Sequence, residues 1–108
     1  MKNDRHERVI SLFRELAAKY IRQETNTYPL ITVTRASISP DYRAATIFFT
    51  TIPESREADA LIFLKRSAGN FRHFVKGKSN LKIIPKFEFV LDADERHRQN
   101  NSSEKPTV

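Results

Sequence analysis

The chain contains no cysteine, no tryptophan and only two glycines among its 108 residues. Without cysteine it has neither a disulfide framework nor a thiolate that could serve as nucleophile or metal ligand. Two glycines cannot build a glycine-rich phosphate-binding loop. No apolar run is long enough to cross a bilayer, and the charged N-terminus lacks the apolar stretch of a signal peptide. These absences favour a cytoplasmic protein with no bound cofactor or metal.

Acidic residues are also absent between Asp59 and Glu88, where seven basic residues lie. The rest of the chain is nearly neutral, so this window accounts for the net charge of +6. The seven are Lys65, Arg66, Arg72, Lys76, Lys78, Lys82 and Lys86. A patch of one sign attracts polyanions, and nucleic acid is therefore the first candidate partner.

The first half of the chain predicts a helix followed by a hairpin. Apolar residues recur at helical spacing over 4–25. Two stretches rich in β-branched residues, 31–39 and 44–51, predict strands, and the short turn between them predicts an antiparallel pair. The alternation slips between Val33 and Ala36, which predicts a β-bulge there.

The second half predicts two helices and a third strand. The helical stripe continues through Gly69, where the cost of glycine in a helix predicts a kink or break between helices at 54–67 and 70–77. Strict alternation over 81–91 predicts the strand. Pro85 falls in the middle of that strand, which indicates an edge position or a bulge.

The predicted order is helix, strand, strand, helix, kink, helix, strand. With 39% hydrophobic residues, the chain can bury one modest core. We expect an α+β domain at 4–92, with its helices on one face of a three-stranded sheet. The polar segment 93–108 is predicted to be a disordered tail.

Four positions in the basic window should share one helix face. They are spaced four, three and four residues apart, at Lys65, Gly69, Arg72 and Lys76. A residue without a side chain would let a sugar-phosphate backbone approach, and a helix beginning there would offer free N–H groups to a phosphate. The alternative is that Gly69 permits tight packing and the cations only confer solubility.

One aromatic residue is a weaker candidate for contact with nucleic acid. Phe48 should point away from the core side of its strand, where a ring can stack on an unpaired base. A ring covered by a helix or a loop is the more common situation.

Three segments of the chain resemble the ribosome-binding factor A family. Residues 32–47 (Thr-Val-Thr-Arg-Ala-Ser-Ile-Ser-Pro-Asp-Tyr-Arg-Ala-Ala-Thr-Ile) resemble its first hairpin. Residues 67–72 (Ser-Ala-Gly-Asn-Phe-Arg) resemble its Ala-x-Gly kink and following Arg, with Ser in place of the Ala. Residues 85–92 (Pro-Lys-Phe-Glu-Phe-Val-Leu-Asp) resemble its closing strand. The resemblance implies a type II KH-like fold, although the Gly-x-x-Gly loop typical of KH domains is absent.

The resemblance also implies a function. The family is expected to bind small-subunit (16S) ribosomal RNA, to assist late maturation of the 30S subunit as a non-enzymatic assembly factor, and to support growth in the cold. We expect a monomer that has no membrane or small-molecule partner. The candidate RNA-binding residues are Lys65, Arg66, Ser67, Ala68, Gly69, Arg72, Lys76, Lys78 and Lys82.

Two other readings remain open. The basic face could meet an acidic protein partner, or the domain could bind RNA in general without any connection to ribosome assembly. An enzyme is disfavoured because no nucleophile with a nearby base and no histidine pair at metal-ligand spacing is evident.

Overall fold

The computed structural model describes residues 4–25 and 30–93. Its elements are helix α1 (Asp4–Glu24), strands β1 (Leu30–Ile38) and β2 (Ala44–Ile52), a short 3-10 turn (Glu54–Arg56), helix α2 (Glu57–Lys78) and strand β3 (Lys86–Leu91). The predicted α+β architecture is confirmed. The predicted tail beyond residue 93 lies outside the described residues. Neither described helix is both long and apolar enough to cross a membrane.

The three strands form one mixed sheet in the order β1-β2-β3. Strands β1 and β2 are antiparallel, as the short connection predicts, whereas β3 runs parallel to β2. The register of the antiparallel pair shifts between Val33 and Arg35, which confirms the predicted bulge. Because β2 lies in the centre, both of its edges are hydrogen-bonded.

The core lies between the two helices and one face of the sheet. In β2 the alternate residues Ala45, Ile47 and Phe49 are buried, so this face of the sheet is apolar. Phe71 of α2 is completely buried, and its ring centroid lies 4.7 Å from that of Phe87 in β3. Aromatic contacts of this kind join α2 to the sheet and fill a small core without tryptophan.

Helix α2 is one continuous helix, so the predicted division into two helices at Gly69 is wrong. Leu64, Phe71 and Val75 are all completely buried, and they lie on both sides of the glycine along the helix. Their burial contributes roughly 1.5–3 kcal/mol per side chain. This exceeds the cost of about 1 kcal/mol for glycine in a helix interior.

Strand β3 begins at Lys86, so the prediction of a strand from residue 81 was too long. Leu81 and Ile84 pack against the core from an irregular segment, which explains the apolar alternation before the strand. Pro85 is buried and directly precedes the first paired residue. Since proline has no N–H for a strand ladder, pairing begins only after it. As predicted from Pro85, the strand lies at an edge of the sheet.

Candidate nucleic-acid interface

The side of α2 that faces solvent carries cations around a glycine. We call Lys65, Arg66, Gly69 and Lys76 the outer side of α2; all four are exposed. Lys65 and Lys76 lie on one flank of Gly69, and Arg66 lies on the other, as the helical periodicity requires. Within the described part of the chain, these three cations form no ion pair. Their charge is therefore available to an anionic partner.

Gly69 is not explained by packing. A Cβ atom added at this position would meet no heavy atom within 4 Å beyond its own helix turn. An alanine would therefore fit, and it would favour the helix by about 1 kcal/mol. Because α2 is continuous, the expectation that residues at Gly69 begin a new helix with free N–H groups is wrong. What Gly69 provides is a gap in the row of side chains that exposes helix backbone.

Arg72 lies on the same flank of α2 as Lys65 and Lys76, but its guanidinium forms hydrogen bonds within the protein. Its Nε donates to the backbone carbonyl of Pro85 at 3.1 Å, and one terminal nitrogen donates to the carbonyl of Ile84 at 2.9 Å. The guanidinium thereby ties the segment before β3 to α2. Arg72 is exposed and still positive, but its first role in the structure is to hold this connection.

The side chains of Ser67 and Ala68 do not lie on the outer side of α2. Ser67 is buried, and Ala68 packs against the core. Burial raises the pKa of the Tyr20 phenol above its ordinary value, while hydrogen bonding to Ser67 lowers it; the charge of Glu24 adds to the rise. The Ser67 side chain thus faces the interior of the fold and not the outer side of α2.

The remaining cations of the window, Lys78, Lys82 and Lys86, lie at the end of α2 and in the chain that follows it. The Lys78 Nζ lies 5.6 Å from the centroid of the Phe74 ring, on the flank where Phe74 also meets Tyr20 of α1. Lys82 lies in the segment between α2 and β3, and Lys86 begins β3. All three are exposed. The positive charge therefore continues from α2 around the end of the helix.

Lys82 also lines a cleft that no sequence pattern indicated. The cleft encloses about 430 Å³ between the start of α1, the β1–β2 turn and the α2–β3 connection. Its lining is Arg5, Val9, Phe13, Ile38, Tyr42, Asn80, Leu81, Lys82 and Ile83. These residues come from four separate stretches of the chain, so only the tertiary structure brings them together. The charged groups in the lining, Arg5 and Lys82, are both positive.

The turn between β1 and β2 places Tyr42 at this cleft. Tyr42 has a φ of 64°, the left-handed region that bulky residues seldom occupy. Its N–H donates to the Ser39 carbonyl at 2.9 Å, and the Ser39 hydroxyl donates to Asp41 at 2.7 Å. The hydrogen bond from Ser39 lowers the pKa of the Asp41 carboxyl most, and a second hydrogen bond from the Arg43 N–H lowers it further. The hydrogen bonds stabilise an otherwise unfavourable backbone conformation.

Phe48 lies on the sheet face opposite the helices, as predicted, but another side chain covers it. The Arg35 guanidinium carbon lies 4.0 Å from the centroid of the Phe48 ring. Arg35 Nε also donates to buried Asp92 at 3.1 Å. Arg35 therefore occupies one face of the Phe48 ring, and the Phe48 side chain is only partly exposed.

In the described residues, no group of His, Asp or Glu side chains is arranged to hold a metal ion. The outer side of α2 and the cleft are instead built from cations, amide and hydroxyl groups and apolar surface. Such surfaces bind anionic polymers through charge, hydrogen bonds and stacking.

Sequence comparison relates the chain to one family over almost its whole length. The family model described as ribosome-binding factor A matches residues 5–104. A ribosome-binding factor A from Coxiella burnetii is 30% identical over 92 residues, which cover 83% of this chain and 77% of the relative. One from Chlamydia pneumoniae is 35% identical over 96 residues, covering 84% and 80% of the two chains.

Solved structures share the fold. The crystal structure of ribosome-binding factor A from Thermus thermophilus aligns with a TM-score of 0.70 at 19% identity, covering 80% of this chain and 94% of that one. The solution structure of a Thermotoga maritima protein described as a putative ribosome binding factor A aligns with a TM-score of 0.68 at 24% identity, covering 82% and 87%.

Proposed function

Since the chain belongs to the ribosome-binding factor A family, we propose that it binds small-subunit ribosomal RNA and assists late maturation of the 30S subunit without catalysing a reaction. The observation that carries the proposal is the outer side of α2. There exposed cations, which form no ion pair with any residue that the structure describes, surround a glycine that packing does not require. A homology model of ribosome binding factor A from Thermus thermophilus, which has this fold, has been fitted into a cryo-EM map of that protein's complex with the 30S subunit.

The proposed mechanism is differential binding. Lys65, Arg66 and Lys76 neutralise phosphates and release condensed counterions, which supplies affinity without sequence information. The gap at Gly69 lets one stretch of sugar-phosphate backbone lie against the helix. A protein that binds an immature RNA conformation more tightly than the finished one shifts the RNA toward the former until assembly proceeds. The protein acts as a monomer in the cytoplasm, and its absence slows growth most in the cold.

The test is a charge reversal that spares Arg72, because Arg72 also holds the α2–β3 connection. We expect Lys65→Glu/Lys76→Glu to weaken binding to small-subunit ribosomal RNA at least roughly tenfold. The slope of log K against log salt should fall by roughly 1.4, which corresponds to two lost phosphate contacts on single-stranded RNA. Filter binding across a salt series measures both quantities.

The matched control is Arg14→Glu/Lys19→Glu, which reverses two exposed charges on α1 and changes the net charge equally. Equal losses in the two variants would show that only net charge matters, and a salt-independent affinity would remove the proposal. Nuclease treatment of material captured from extract separates RNA binding from attachment to an acidic protein. Survival of the complex after that treatment would favour the protein partner.

A further inference from the structure

We infer that the cleft beside Tyr42 is a second RNA contact, which takes one unpaired nucleotide with its base inside and its phosphate at the rim. This inference rests on the proposed function and adds a site that distinguishes unpaired nucleotides from paired ones. The cleft is separate from the outer side of α2, because its lining comes from the start of α1, the β1–β2 turn and the α2–β3 connection.

The size and chemistry of the cleft fit a nucleotide. Its volume of about 430 Å³ lies within the range typical of small-molecule sites, about 300–1,000 Å³. Its floor is apolar, from Val9, Phe13 and Leu81, and can accept the face of a base. Asn80 offers an amide that both donates and accepts, which matches the edge of a base.

The charges at the cleft favour an anionic occupant. Arg5 comes from α1 and Lys82 from the connection between α2 and β3, and none of the described residues that line the cavity is acidic. Lys82 also belongs to the basic window that continues onto α2. One RNA strand could therefore lie along α2 and insert its next unpaired nucleotide into the cleft.

Tyr42 is the residue on which stacking depends. It lines the cleft in a left-handed backbone conformation that the hydrogen bonds of Ser39 and Asp41 maintain. Its ring centroid lies 5.4 Å from that of His6 on α1, so the two aromatic rings contact each other. Unpaired bases stack on such rings, whereas paired bases are not available to them.

Tyr42→Asn removes the ring while keeping a residue that tolerates positive φ. We expect this variant to lose roughly 5- to 150-fold in affinity for a short single-stranded RNA of mixed sequence. Its affinity for the same RNA in a perfect duplex should stay unchanged. Tyr42→Phe keeps the ring and should bind the single strand nearly as wild type does. Circular dichroism and thermal unfolding test whether both variants fold.

The outcomes separate this site from the proposed function. If Tyr42→Asn binds single strands as wild type does while Lys65→Glu/Lys76→Glu does not, the cleft proposal fails and the proposed function stands. If the wild-type protein binds no RNA, both fail. If Tyr42→Asn loses binding of a poly-glutamate peptide but not of RNA, the cleft takes an acidic protein segment, and the proposal is overturned. Photocrosslinks from thiouridine-substituted RNA to Tyr42 or residues 80–83 would support it.

Discussion

The buried inner side and the exposed outer side of α2 carry residues that need different explanations. On the inner side Leu64, Phe71 and Val75 are completely buried, and the fold requires apolar groups of their size. On the outer side Lys65, Gly69 and Lys76 are exposed, and the fold requires none of them. Gly69 even lowers helix stability. Residues that stability does not explain are the ones for which a partner is the better explanation.

Arg72 lies between these two cases. It is exposed and positive like Lys76, yet its guanidinium donates to two backbone carbonyls before β3. A charge in the basic window is therefore not by itself evidence of RNA contact. The comparison teaches that each cation needs its own structural account before it is assigned to the interface.

The largest expected effect concerns the inner side. Phe71→Ala should reduce the free energy of unfolding by about 3–5 kcal/mol, because it leaves a cavity among Tyr20, Phe87 and Phe89. This is a large share of the about 5–15 kcal/mol that typical domains possess. Urea denaturation followed by circular dichroism measures it, with Phe71→Leu as the milder control. A loss below about 1 kcal/mol would contradict the assignment of this side to the core.

A smaller effect on the free energy of unfolding is expected at Arg72, which joins α2 to the segment before β3. Arg72→Ala should lower the free energy of unfolding by about 1–2 kcal/mol, because the carbonyls of Ile84 and Pro85 lose their charged donor. Arg72→Lys keeps the charge but lacks the planar fork, so it should be nearly as destabilised. Lys76→Ala is the control and should stay within about 0.5 kcal/mol of wild type. Equal stability of all three variants would show that the two bonds contribute nothing.

The outer side can be tested without a change of charge. Gly69→Ala should raise the free energy of unfolding by up to about 1 kcal/mol while weakening RNA binding, because a methyl group then fills the gap. Gly77→Ala is the matched control, since a Cβ there also meets open space in the same helix. Thermal unfolding and RNA titration measure the two effects. A Gly69→Ala variant that is more stable and binds normally would remove the glycine from the interface.

The smallest expected effect is on how the free energy of unfolding depends on pH. Burial holds the pKa of Tyr20 above 10.0, so the folded protein keeps the phenol protonated where the unfolded chain begins to ionise. The resulting stability is present below pH 10 and is lost as the pH rises through the folded-state pKa. The free energy of unfolding should therefore fall more steeply above pH 10 in wild type than in Tyr20→Phe, which keeps the ring contacts. Parallel curves for the two proteins would show that burial of the phenol has no such consequence.

Periodicity predicted most of the fold because the pattern of buried residues follows local geometry. The helical stripe of α1, the alternation in β2 and the slip near Val33 all appear in the structure as predicted. The predicted break at Gly69 failed because the burial of Leu64, Phe71 and Val75 outweighs the cost of glycine in a helix. The early start of β3 failed for a different reason. Apolar spacing reports that side chains are buried but not whether the backbone between them is helical, extended or irregular.

The chain by itself determined the concentration of positive charge and the placement of Lys65, Arg66 and Lys76 on the outer side of one helix, because spacing along a helix fixes direction. The tertiary structure alone decided which groups remain available. It engaged Arg72 with the carbonyls of Ile84 and Pro85, and it brought Arg5, Tyr42 and Lys82 to one cleft. Those outcomes depend on contacts between residues far apart in the chain, which no local pattern encodes.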